Sequence, residues 1–122
     1  MYTEQVITRM GELKNAGALR GANARGVVGD MHEGAIIRLA LKIDDKGMIQ
    51  DAKFRTFGCV PAIVGSDVLC DLIRKKSVIH ARALTPASIL VELGGMPESR
   101  ASCAIAPLQA LDIAIKNWEK AK

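Results

Sequence analysis

The chain has 122 residues, 49% hydrophobic and 25% charged, a composition that excludes disorder and predicts one domain over 1–122. Its longest apolar run, Phe57 to Ile73, is broken by Asp67, Asp71, Pro61 and two glycines, which excludes a membrane span of roughly 20 residues. The net charge of +4 is spread along the sequence, with Arg74-Lys75-Lys76 the tightest cluster, and only 3% of residues are aromatic; that pattern argues against a nucleic-acid partner.

The opening Met1-Tyr2-Thr3-Glu4-Gln5 lacks the basic-then-apolar layout of a secretory signal, so the expected location is cytoplasmic, with no membrane partner. From Thr3 to Lys14, Val6, Ile7, Met10 and Leu13 recur at helical spacing behind a Thr3 N-cap. The Gly- and Ala-rich stretch Ala16 to Glu33 holds one irregular strand around Arg25 to Val28. Ile37, Leu39, Leu41 and Ile43 then alternate with Arg38, Ala40 and Lys42, the period of a half-buried strand. Asp44-Asp45-Lys46-Gly47 reads as a hairpin loop, with Gly47 free to turn left-handed. Met48 to Phe57 returns as the partner strand.

After Gly58 the period becomes helical. Val60, Val64, Val68 and Leu72 fall four apart, and Pro61 sits in the first turn, where its missing N–H costs nothing. Thr85-Pro86 opens a further helix that Gly94-Gly95 stops. The last helix carries Leu108, Leu111, Ile115 and Trp118 on one face, with its start set by either Ile105 or Pro107. Strands early and helices late predict an α+β fold: a small three-stranded, mostly antiparallel sheet packed against about four to five helices.

The cysteines are Cys59, Cys70 and Cys103, an odd number without paired spacing, which suits free thiols or ligands rather than a disulfide framework. Cys59 falls at or beside a helix N-terminus, a setting that favours thiolate; the competing reading is a small thiol fitted to a tight corner. Cys70 is eleven residues further on, about 16 Å along a helix, too far to share a metal with Cys59, and it reads as core. Cys103 follows the Gly94-Gly95-Met96-Pro97 turn and is expected, like Cys59, at an element boundary. His32 and Glu33 lie just before a strand, as metal-binding imidazoles and carboxylates often do, or as solvated loop residues. His80 has no evident partner and reads as surface. No nucleophile–base–orienter set is legible, so no enzyme activity is expected.

The run Asp51-Ala52-Lys53-Phe54-Arg55-Thr56-Phe57-Gly58-Cys59, followed by Ala62-Ile63, closely resembles the core motif of the U-type iron–sulfur cluster scaffolds (IscU and the N-terminal domain of NifU). The likeness continues through Gly26-Val27-Val28-Gly29, Glu92-Leu93-Gly94-Gly95-Met96-Pro97 and Cys103. The resemblance implies a scaffold that binds iron or a nascent iron–sulfur cluster, with zinc as a possible surrogate. It also implies sulfur taken from a cysteine desulfurase, with Cys103 as acceptor, and a chaperone or a second scaffold as further partners.

Carried over residue by residue, the family's three cysteines fall on Glu33, Cys59 and Cys103. Its aspartate falls on Ala35 and its histidine on Ser102, while the chaperone motif L-P-P-V-K reads Met96-Pro97-Glu98-Ser99-Arg100. The implied ligand set is therefore Cys59, Cys103 and Glu33, with His32 one residue from the ligand position. Ala35 in place of the aspartate implies slower release of any cluster formed. The alternative is a degenerate member that carries no cluster and acts as partner or regulator of the desulfurase or of a true scaffold. Either reading expects Glu33, Cys59 and Cys103 to converge at one exposed end.

Overall fold

A computed structural model describes residues 2–30 and 34–122. Among these residues nine elements follow one another: α1 (Glu4–Gly11), β1 (Ala24–Asp30), β2 (Ala35–Ile43), β3 (Ile49–Gly58), α2 (Val60–Ile73), α3 (Val78–Arg82), α4 (Pro86–Glu92), α5 (Glu98–Ile105) and α6 (Pro107–Lys120). The α+β class and the three-stranded sheet are as expected. The strands are antiparallel in the order β1-β2-β3. Among the described residues the helices number six, because the chain after α2 forms the five-residue α3, capped by the Ser77 side chain accepting from the His80 N–H.

The β2–β3 hairpin forms for the reason its loop suggested. The Asp44 carboxylate accepts from the Lys46 and Met48 amides at 2.9 Å, and Gly47 adopts φ 82° while donating to the Asp44 carbonyl. Alternation then sorts the strands into two faces. Ile37, Leu39, Leu41, Ala52 and Phe54 are buried beneath the helices. Gly26 lets α6 lie directly on β1: a Cβ there would meet the Ala110 carbonyl oxygen at 2.1 Å.

Helix α2 occupies the centre, buried on nearly every side from Pro61 to Cys70. That is why its sequence shows a broad apolar band rather than a narrow stripe. A hydroxyl contact of 2.8 Å joins Ser66 to Thr56 and ties α2 to β3. Helix α1 ends at Gly11 rather than Lys14, and of its apolar residues Val6 is buried while Ile7 is 62% exposed. Among the described residues, no helix is long and apolar enough to cross a membrane.

Candidate functional site

Two tight backbone approaches build one end of the molecule. Gly58 ends β3 at φ 121°, with its Cα facing the start of β2: a Cβ would meet the Gly34 carbonyl oxygen at 2.0 Å. Only glycine fits there. The chain then turns into α2 with Cys59 as N-cap, in extended conformation and without a side-chain capping bond. Its sulfur is therefore not spent on closing its own helix. Pro61 stands in the first turn, as its sequence position requires.

Cys103 arrives by the second approach. A Cβ on Gly65 would lie 2.1 Å from the Ala104 carbonyl oxygen, so α5 crosses α2 at backbone contact. The residue before Ala104 is thereby held beside the N-terminus of α2. Cys103 sits inside α5, which runs from Glu98 to Ile105, and not at an element boundary. Sequence reasoning placed it at a boundary because Ser99-Arg100-Ala101-Ser102 shows no apolar period. The α5 helix buries only Ala104 fully, although it packs against α2, α4 and α6. Pro107, lacking an N–H to donate, ends α5 at Ile105 and opens α6, which settles where the last helix starts.

Cys59 and Cys103 are both half-buried and their side chains interact. Burial, then the hydrogen bond and charge of Cys59, push the Cys103 thiol above its ordinary value, while Arg100 and Ser102 pull it back in part. Ionising Cys103 beside Cys59 is thus disfavoured, and a cation between the two sulfurs offsets that cost when the thiols deprotonate to bind it. A cavity of about 170 Å³ opens beside Cys103, lined by Val28, Ala35, Ile37, Ala62 and Gln109 among others. Ala35 presents a methyl group there, at the first residue of β2 and paired with Gly58.

The structure thus brings Cys59 and Cys103 together. His32 and Glu33 lie outside the described residues, and Gly34, next along the chain, packs against Gly58 beside Cys59. Cys70 is fully buried, and burial pushes its thiol far up, as suits a core residue. His80 is exposed on α3. Among the described residues, no set of three His, Cys, Asp or Glu side chains is grouped to hold a metal ion.

Sequence reasoning missed a second polar centre, on the opposite side of α2. Asp67 is fully buried, accepts from the Lys14 and Asn15 amides at 3.1 and 2.9 Å, and pairs with Arg9 at 2.7 Å. Asn15 donates to the Asp67 carbonyl and to Asp71, and Arg74 joins through Asp51 and Asp71. Asp67 and Asp71 looked like interruptions of an apolar run; a buried acid four residues from another, with Arg9 in the preceding helix, was the available signal. A groove of about 440 Å³ borders this centre and contains no thiol.

The NifU-like N terminal domain family model matches residues 1–122. The chain is 35% identical over 121 residues to the iron–sulfur cluster assembly scaffold protein IscU of Haemophilus influenzae, covering 97% of this chain and 95% of that one. It is 36% identical over 118 residues to the nitrogen fixation protein NifU of Azotobacter chroococcum mcd 1, of which it spans 38%. The fold is that of a nitrogen-fixing NifU-like protein (N-terminal) from Brucella abortus, with a TM-score of 0.74, 18% identity and coverage of 98% and 95% of the two chains.

Proposed function

This chain belongs to the NifU-like N terminal domain family, and on that premise we propose that it is an iron–sulfur cluster assembly scaffold with an altered ligand set. The observation that carries this reading is the Cys59–Cys103 pair, two half-exposed thiols joined by the Gly65–Ala104 crossing. Thiolates are the chief ligands of such clusters. The nascent cluster is cargo, held by Cys59 and Cys103, with Glu33 as the third donor and His32 as its neighbour. Glu33 brings a carboxylate oxygen, a harder donor than sulfur. That donor set also accepts mononuclear iron, and zinc as a surrogate.

Sulfur arrives from a cysteine desulfurase carrying a persulfide. The Cys103 sulfur attacks the outer sulfur of that persulfide, and a new S–S bond forms as the donor's S–S bond breaks. The donor cysteine leaves as a thiolate and takes up the proton that Cys103 gives up. Converting the transferred sulfur to sulfide requires two electrons from an external reductant. Ala35 supplies no oxygen donor beside Cys103, so a formed cluster is released slowly.

A second reading is favoured by that same methyl group: a degenerate member that binds the desulfurase or a true scaffold and carries no cluster. Anaerobic reconstitution with ferrous iron, sulfide and dithiothreitol separates the two. The scaffold reading expects iron and sulfide in comparable amounts with visible charge-transfer bands, all lost in Cys59→Ser and in Cys103→Ser. Colourless protein, or metal without sulfide, leaves the partner reading, in which both serine variants still bind the desulfurase.

A further inference from the structure

The two thiols of the site are not equivalent. Cys103 borders the cavity of about 170 Å³, and Cys59 is not among the described residues that line it. The walls are apolar: Val28 and Ala35 are half-buried, Ile37 and Ala62 fully buried. Ser102 and Gln109, both exposed, bring a hydroxyl and an amide to the rim. A third donor lies deeper. Ala62 stands in the first turn of α2, whose N-cap Cys59 makes no side-chain capping bond, and among the described residues its N–H has no acceptor. First-turn amides are directed out of the N-terminal end of their helix, where they receive anions.

This chamber is built for a soft anion rather than a metal ion. Among the described residues that line it, Cys103 is the one ionisable side chain, whereas a bound divalent ion takes several thiolate, imidazole or carboxylate ligands. Pockets for free small molecules measure roughly 300–1,000 Å³, so this smaller space suits the tip of a side chain. Ala35 completes the wall with a methyl group, where a carboxylate would set a like charge against an anion.

We propose that the cavity seats the outer sulfur of a persulfide on Cys103, with the Ala62 N–H as its donor and Gln109 as the positioning residue at the rim. This rests on the reading of Cys103 as sulfur acceptor and adds where the accepted sulfur is kept. Thiol exchange requires access to the sulfur under attack, so a sulfur enclosed here is shielded from thiols in solution.

The test needs neither iron nor a desulfurase, because sodium tetrasulfide loads the thiol anaerobically. The Cys103 thiolate attacks a terminal sulfur of the hydrotetrasulfide anion. One S–S bond forms as another breaks, the proton stays on the transferred sulfur, and a trisulfide dianion leaves. The number of S–S bonds is unchanged, so no oxidant or reductant is consumed. Cys59→Ser leaves Cys103 as the reactive thiol, since Cys70 is fully buried, and Cys103→Ser leaves Cys59. Excess tetrasulfide is removed, reduced glutathione is added, and the added sulfur is followed by intact-mass spectrometry.

The persulfide of Cys59→Ser is expected to outlast that of Cys103→Ser by at least about tenfold. Adding Gln109→Leu, which removes the amide from an exposed position at similar size, shortens that lifetime by about fivefold or more, and Gln109→Asn, which keeps an amide, recovers most of it. Ala35→Asp shortens it by at least about tenfold, with the fold checked by circular dichroism. Equal lifetimes on the two cysteines, absence of loading on Cys103, or equal behaviour of the leucine and asparagine variants would each overturn the proposal. A long-lived Cys103 persulfide in a chain that forms no cluster would end the scaffold reading and leave this one standing; a cluster formed on a chain whose persulfide is short-lived would do the reverse.

Discussion

Helix α2 carries two polar centres that are built in opposite ways. Around Asp67 every group is answered: the carboxylate takes two amides and Arg9, Asn15 bridges Asp67 and Asp71, and Arg74 closes the ring through Asp51. Among the described residues, no buried side-chain nitrogen or oxygen lacks a partner. At the N-terminus of α2, Cys103 has Cys59 as its neighbour, and the hydrogen bond and charge of Cys59 oppose ionisation of Cys103. A saturated centre has nothing left to offer a ligand, whereas a pair of neighbouring thiols does. The comparison separates structural polarity from functional polarity within one helix.

The largest expected effect comes from breaking the saturated centre. Asp67→Ala leaves Arg9 with Asp71 as its partner but strands the Lys14 and Asn15 amides that the buried carboxylate accepts from, and is expected to cost about 2–4 kcal/mol in urea unfolding, about 1–3 kcal/mol for each unsatisfied group. Iron and sulfide uptake per folded molecule stays as in the parent. A cost below about 1 kcal/mol would mean that the network is no more than a surface pair, and the comparison would fail.

Next is the crossing that joins the thiols. Gly65→Ala drives a methyl group into the Ala104 carbonyl, with an expected loss of about 1–3 kcal/mol from overpacking. Because α5 must move, it also lowers iron and sulfide content in the same reconstitution. Retained uptake with lost stability would mean that α5 is positioned by something other than this contact.

Two smaller effects sharpen the contrast through pH. Loading a metal on Cys103 displaces its proton, and that thiol is held above its ordinary value. Uptake at limiting iron is therefore expected to strengthen with rising pH, about tenfold per unit for each proton released. A flat profile from pH 6 to 9 would remove Cys103 from the ligand set. In the other centre, burial works against ionisation of Asp71 and of Asp51, but Asn15, Arg9 and Arg74 outweigh it for Asp71, as Arg74 and the Ala52 amide do for Asp51. Both carboxyls are held below the usual range. Their contribution to stability is present above the unfolded value of about 3.9 and is lost as pH falls through the lowered values. Unfolding midpoints should stay level from pH 7 to about 5 and fall below about 4, and less steeply in Asp71→Asn.

Much of this was legible in the sequence, because alternation and caps are local. The Ile37–Ile43 alternation, the Asp44–Gly47 loop, the Cys59 cap and the Thr85-Pro86 start all appear where their residue types require. The resemblance pointed to Cys59 and Cys103 as a pair. Information that depends on long-range contact was not legible. Gly65 gives no sign in the chain that Ala104 will press against it, and α5 has too little buried surface to show a period.

The modest anchoring of α5 has a consequence for the timing of opening motions. Its N-cap, Pro97, makes no side-chain capping bond, it buries one residue, and it hands over to α6 at Ala106 with no intervening loop. Segments with so little buried surface open at a fraction of the global unfolding free energy and form their own cooperative unit. The amides of α5 should therefore exchange with deuterium well before those of α2, which is buried along most of its length. Cargo bound through Cys103 would fasten this loose helix to its rigid neighbour. Loading and delivery would then be written into the exchange rate of eight residues, Glu98–Ile105, before any change in overall shape.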